Sequence, residues 1–226
     1  MGLVVGISLA GCGLISSDVT NFDLTLPPKT FTIDTAGWQV NQSAADQYLM
    51  RSCTMSQMCN SAVQVACPMG CSGSCSATQT CDLSLDVSLM QPVNLVMERP
   101  ELKSINDEPV IKVTLDSVTY DVTSNSLNVD TPEVTVYVAP MSVVKVSDPQ
   151  IKAIGTIAPV PAGQTTGGAK PLVFTPTGRA DLVTIMSTFK TPFNVLVGTS
   201  VVVSAGQPVP SGKLVAVVNI TGHAGL

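Results

Sequence analysis

Six of the seven cysteines of this 226-residue chain fall between residues 53 and 81. They are Cys53, Cys59, Cys67, Cys71, Cys75 and Cys81, spaced C-x5-C-x7-C-x3-C-x3-C-x5-C. A set this dense has three chemical readings. A thioredoxin-like redox pair needs C-x-x-C, and none occurs. Zinc sites use C-x2-4-C pairs, often with His. C-x3-C occurs twice, sharing Cys71, but the one histidine is His223 at the far end of the chain. An iron–sulfur cluster needs thiolates kept reduced. The third reading is a disulfide framework, which an even cysteine set in an exported chain favours. We take that reading, with no metal and no cofactor. Six cysteines allow 15 pairings, and spacing does not choose among them.

The seventh cysteine bears on export. Residues 2–10 are apolar except for Ser8, and Leu9-Ala10-Gly11-Cys12 closes the run. This segment resembles the lipobox of bacterial lipoproteins. The resemblance implies a signal peptide over residues 1–11, cleavage before Cys12, lipid on Cys12 and a tether over residues 12–21. Gly13 stands where many inner-membrane members carry Asp, which by resemblance points to the outer membrane of the bacterial cell envelope, on its periplasmic or surface face. The run is shorter than the roughly 20 apolar residues that span a bilayer. The chain departs from the pattern in lacking a basic n-region, so that on this reading the native start lies upstream. Without the resemblance, residues 3–9 also read as a first strand and Cys12 as a core cysteine. Setting Cys12 aside for lipid leaves an even set for disulfides.

Composition narrows the partners. Charged residues make up 12% of the chain, about half of the roughly 25% common in soluble domains, and the formal net charge is −5. With no basic cluster, nucleic-acid binding has no electrostatic footing. The remaining partners are a membrane, reached through the lipid, and an envelope protein.

The sequence around the cysteines divides into helix and loop. Ser43-Ala-Ala-Asp46 has the form of a capping box. Ala45, Tyr48, Leu49, Ser52, Cys53, Met55, Cys59, Val63 and Ala66 then recur at three- and four-residue steps, which predicts helix. Pro68 and Gly70 end it, and residues 67–75, rich in Gly and Pro, are expected to be a stapled loop.

Elsewhere the period is two. Leu83, Leu85, Val87 and Leu89 alternate with Asp82, Ser84, Asp86 and Ser88, the pattern of a strand with one wet face. Phe22, Leu24 and Leu26, then Phe31 and Ile33, then Val134, Val136 and Val138 do the same. Ile111, Val113 and Leu115 alternate, the parity slips at Asp116-Ser117, and Val118, Tyr120 and Val122 resume it. A slip flips the buried face, so a β-bulge or turn is predicted there. Further strands are expected over 151–157, 172–175, 193–204 and 213–220. Thr177 is a candidate cap for one late helix whose stripe is Leu182, Val183, Ile185, Met186 and Phe189, with Pro192 stopping it.

The fold class is therefore mainly β: an antiparallel, Ig-like β-sandwich with one late helix and a small disulfide-stapled helical and loop insert. The expected division is 22–35 plus 82–226 for the sandwich and 36–81 for the insert. Residues 110–220 resemble the LEA14/WHy-like sandwich family. The motifs are Leu127-Asn-Val-Asp-Thr-Pro-Glu-Val-Thr-Val-Tyr-Val138, Ile154-Gly-Thr-Ile157, Val160-Pro-Ala-Gly-Gln-Thr-Thr166 and Thr191-Pro-Phe-Asn-Val-Leu-Val-Gly198. Ala139-Pro140 stands where many members carry Asn-Pro. The resemblance implies a binding or structural role and no catalytic residue.

No catalytic set is read from the residues either. His223 sits three residues from the end and reads as a frayed tail. Glu98, Glu101, Asp107 and Glu108 read as a solvated loop. Asp116, Asp121 and Asp130 lack calcium-loop spacing. Trp38 reads as packing beside the stapled block. The expectation is a non-enzymatic envelope lipoprotein acting as a structural or protein-interaction module. The alternatives are a lipid-binding or lipid-shuttling lipoprotein, which needs an apolar cavity between the sheets, and an exported enzyme of unknown class.

Overall fold

The computed structural model describes residues 21–100, 102 and 112–225. The expected signal peptide, the tether up to residue 20, Cys12, Glu101, Asp107 and Glu108 lie outside the described residues.

Alternating sequences make two antiparallel sheets. The first is built on β11 (Lys213–Gly225), whose buried positions Leu214, Ala216, Val218, Ile220, Gly222 and Ala224 fall two apart. One side of β11 pairs with β5 (Lys112–Asn125). The other side pairs with β1 (Asn21–Asp23) and then β2 (Lys29–Asp34), laid end to end, so five strands fill four positions. Leu24 and Leu26 carry on between them, their N–H groups donating to Gly222 and Ile220 carbonyls at 2.8 and 2.9 Å. The second sheet runs β3 (Cys71–Cys75), β4 (Cys81–Val93), β10 (Phe193–Val203), β6 (Val134–Pro140), β7 (Lys152–Ile157), β9 (Val173–Phe174).

The bulge predicted at Asp116 is present. Thr221 faces Ser117 while Gly222 faces Leu115, so Asp116 is the extra residue and the buried parity flips across it. A second shift at Val215/Ala216 leaves Thr123 extra. No apolar residue follows Val122 closely enough to register that slip in the sequence.

The sheets bury one core. Phe31, Val113, Leu115, Val118, Tyr120, Val218 and Ile220 meet Val93, Val136, Val138, Ile154, Phe193, Val195 and Val197. Each such side chain, fully buried, stabilises by roughly 1.5–3 kcal/mol. The late helix α4 (Gly178–Ser187) lays Leu182 and Met186 on this core, with Phe189 just beyond. Thr177 does occupy the N-cap position, but its side chain makes no capping bond. The start of the helix is instead set by close approach: a Cβ at Gly178 would collide with the Ile154 carbonyl.

The sandwich is closed along both sides. On one, β8 (Lys170–Pro171) pairs with β5, Leu172 turns inward, and β9 pairs with β7, so the chain itself crosses between sheets. On the other, Gln91 Nε2 donates to the Thr30 carbonyl at 2.8 Å and Lys29 Nζ to the Pro92 carbonyl at 3.1 Å, joining β4 to β2. Lys29 also pairs with Glu98 at 2.7 Å, with only 17% of the Glu98 side chain exposed. Glu98 is thus no solvated loop residue: it ends a short helix, α3 (Leu95–Glu98), and ties it to the first sheet.

Candidate functional site

The insert begins where the first sheet lets go of the chain. After β2, a single 3-10 turn (Thr35–Trp38) is capped by Asp34, whose carboxylate accepts from Ala36 N. It delivers Trp38 into a second core, where the indole N–H donates to the Asp86 carbonyl at 3.1 Å. Trp38 is 8% exposed, the packing role its place in the sequence predicted.

Two helices follow, not one. α1 (Gln42–Leu49) is capped two residues earlier than expected, because Asn41, not Ser43, accepts from Ala44 N at 3.0 Å. The three-four pattern runs on through Ser52 and Met55, but the backbone leaves helix after Leu49. The turn of the β3–β4 hairpin claims it: Ser52 bridges Thr80, Cys53 N–H donates to the Gln79 carbonyl at 2.9 Å and the Arg51 carbonyl accepts from Cys81 N at 3.1 Å. α2 (Ser56–Ala66) then resumes with Cys59, Val63 and Ala66 buried.

Residues 71–75, expected as loop, are a strand. Gly73 makes that possible, since a Cβ there would strike the Tyr48 hydroxyl and the Cys59 backbone. The free edge of β3 is met by α2. Gly73 N–H reaches Asn60 Oδ1 at 3.4 Å, and Cys75 N–H donates to Ser56 Oγ at 3.2 Å.

All six cysteines predicted to be bridged are bridged. Cys53 joins Cys75 with Cα atoms 5.8 Å apart, Cys59 joins Cys81 at 5.5 Å, and Cys67 joins Cys71 at 6.1 Å. The first two tie α2 and the segment before it to the two ends of the hairpin turn. The third closes the short turn after α2. Around them pack Tyr48, Leu49, Val63, Leu83, Leu85, Val87, Val203 and Val209. The Tyr48 hydroxyl donates to the Asp82 carbonyl at 3.1 Å, and burial pushes its pKa up to about 12. Three disulfides indicate an oxidising, extracytoplasmic compartment. No helix among the described residues is long and apolar enough to cross a membrane.

The insert also exposes apolar side chains. Ten large hydrophobic side chains are exposed among the described residues, and five of them lie between residues 50 and 69: Met50, Met55, Met58, Val65 and Met69. Met58, Ala62 and Val65 stand at i, i+4 and i+7 on α2, one stripe round from the buried face. Beside that stripe Ala62 and Val65 join Ala44, Gln47, Tyr48 and Arg51 of α1 and its end in a groove of about 490 Å³.

Other candidates are weaker. His223 is not a frayed tail. It lies in β11 opposite Asp23 and Thr114, and its Nδ1 stands 3.2 Å from a carboxylate oxygen of Asp116. That pair sits at the bulge, where Asp116 is the extra residue of β5. Among the described residues the imidazole bonds this carboxylate and no hydroxyl or thiol. Asp121 accepts from Thr166 Oγ1 at 2.5 Å and Asp130 from Ala162 N at 2.8 Å; each fixes a loop, and they do not converge. A groove of about 850 Å³ crosses the outer face of the second sheet below residues 144–147, with Asp86, Glu133 and Lys145 on its walls. Between the sheets the cavity ringed by Phe31, Leu89, Val134, Ile157, Val197 and Val218 is apolar and measures about 30 Å³. No family model, curated protein or solved structure matches this chain.

Proposed function

We propose that this chain is a non-enzymatic lipoprotein of the bacterial cell envelope, anchored at the outer membrane through Cys12, whose insert engages an envelope protein. The observation that supports this reading most is the density of exposed apolar side chains between residues 50 and 69, on a disulfide-held frame. Val65 is 78% exposed and Met50 69% exposed, within a segment whose other side is a packed core. Methionine surfaces adapt to a partner's shape at little strain. Bridging the frame removes ordering cost that a loose segment would incur on binding. The resemblance of residues 110–220 to LEA14/WHy-like sandwiches points to the same class of role. The lipid-shuttling alternative gains no support from the interior, because a site for a lipid-sized ligand runs to roughly 300–1,000 Å³.

A photo-crosslinking residue at position 65 tests the surface, with one at Val173, which is 65% exposed on the far sheet edge, as control. Position 65 is expected to crosslink to one envelope protein in intact cells, and Met58→Glu to abolish the product. Equal crosslinking from both positions sinks the assignment. The anchor is tested separately: Cys12→Ser, expressed from the native start, is expected to move the protein to the soluble fraction or leave an unprocessed precursor.

A further inference from the structure

We propose that the groove on the outer face of the second sheet is a binding site for a neutral oligosaccharide chain. Its floor is the middle of the sheet. Asp86 of β4 faces Ser200 of β10, Ser88 faces Gly198, and Gly198 in turn faces Thr135 of β6. The even-numbered residues of β4 point outward here, because Leu83, Leu85 and Val87 are buried on the other side. Three neighbouring strands make a floor about 10 Å across. The space above it measures about 850 Å³, within the roughly 300–1,000 Å³ of small-molecule sites.

The groove is shaped by packing that needs no ligand. Residues 144–147 form one wall, and Val146 is seated on Gly198, where a Cβ would strike its side chain. Val146 N–H donates to Ser88 Oγ at 3.2 Å. The segment leading into this wall is fastened by Asn194, which is 1% exposed and whose Nδ2 donates to the Met141 and Val143 carbonyls at 3.1 and 2.8 Å. A wall fixed in advance spares the ordering cost of binding.

The lining suits sugar hydroxyls. A carboxylate only accepts, an ammonium only donates, and a hydroxyl does both. Asp86 and Glu133 supply acceptors, Lys145 supplies donors, and Thr135, Ser147 and Ser200 supply both. Other carboxylates of the molecule are engaged internally: Asp34 accepts from Ala36 N, Asp121 from the Thr166 hydroxyl, Asp130 from Ala162 N and Asp148 from Gln150 N. Among the described residues, the carboxylates of Asp86 and Glu133 hold no protein group. A ligand of either net sign meets a like charge, from these two or from Lys145, which favours a neutral one. A peptide cannot add here as a strand, because β10 is already paired on both sides, by β4 and β6. Half-buried Tyr137, two residues along β6 from Thr135, adds a ring for the apolar face of a sugar.

The full chain, ¹⁵N-labelled, is titrated with chitotetraose, cellotetraose and maltotetraose, and its amide shifts are followed. Saturable shifts with at least one of these sugars are expected at residues 86–88, 133–137, 144–147 and 198–200. Asp86→Asn is expected to weaken that binding about tenfold, since a neutral hydrogen bond replaces a charged one. Ser200→Tyr, which fills the floor at an exposed position, is expected to abolish it. Thr32→Tyr, at an exposed position of β2 in the first sheet, is expected to leave it unchanged. Should Ser200→Tyr fail to fold, Asp86→Asn decides. No saturable binding of any of the three sugars at millimolar concentration, shifts centred elsewhere, undiminished binding by Asp86→Asn, or equal loss in Thr32→Tyr overturns the proposal.

Discussion

The sandwich and the insert share a strand but are held by different means. The same odd-numbered face of β4 runs from Leu83, Leu85 and Val87 in the insert core to Val93 in the sandwich core, with Leu89 packed against both. On the sandwich side, strands far apart in sequence supply the partners: Phe193 pairs with Val93 and Val218 with Tyr120. On the insert side, most partners come from within residues 38–87, and three disulfides reinforce them. Two short helices and a five-residue strand bury little by themselves, and a core that small needs staples. The lesson is that the boundary between regions is a change in what holds them, placed inside a continuous strand.

Full reduction is the largest test of that contrast. Each bridge contributes roughly 2–4 kcal/mol. In metal-free buffer, reduction is expected to strip hydrogen-exchange protection from residues 42–75 and to weaken it along β4 as far as Leu89. The β5–β11 pairing should stay protected. Loss of protection across β5 and β11 would mean that the two cores fold as one unit.

Separating the bridges gives a smaller, graded effect. Cys59–Cys81 and Cys53–Cys75 each span 22 residues, whereas Cys67–Cys71 spans 4. Loop-closure entropy then assigns about 3.4 kcal/mol to either long bridge and about 2 kcal/mol to the short one. Paired Cys→Ala variants unfolded in urea should follow that order. An equal or reversed order would show that local packing near Trp38, not chain restriction, sets the contribution of the short bridge.

Smallest is the pH effect. Burial raises the Tyr48 pKa to about 12 from an ordinary value near 10. A raised folded-state value means stability that is complete below pH 10 and lost as pH climbs from 10 toward 12. The insert should therefore loosen across that window before the sandwich does. Tyr48→Phe removes the ionisation and should flatten the alkaline dependence of insert unfolding, while costing about 1 kcal/mol at neutral pH for the lost bond to Asp82. An unchanged alkaline profile in Tyr48→Phe would place the sensitivity elsewhere.

Strands whose apolar residues alternate were legible, and so was the bulge at Asp116, because a parity slip inside an unbroken β pattern has few other causes. Cysteine composition disclosed the insert as a unit but not its pairing. What the sequence concealed was decided over distance. The break after Leu49 comes from hydrogen bonds to residues 79–81, thirty positions on. β3 looked like a loop because Cys, Ser and Gly carry no alternation, and its strand form rests on a helix that packs against Gly73. The Gly-rich end that reads as a tail is held between β1 and β5, and the β5 pairing puts His223 beside Asp116. The exposed methionines of the candidate site were not legible as such: Met55 counts in the apolar pattern yet is exposed, Met58 stands one position before buried Cys59, and Met50 and Met69 lie beyond the helix ends.

The covered sheet edges carry a consequence for how this molecule meets others. α2 blankets β3, and Thr175 caps the Ala153 and Ile154 carbonyls of β7. The segment before β9 does the same for β5, with Thr166 Oγ1 taking the Val122 N–H and Leu172 N–H the Val118 carbonyl. Among the described residues, a neighbour arriving at these flanks finds main-chain groups already paired, which disfavours extending a ribbon there from one copy to the next. Recognition at these flanks then falls to side chains.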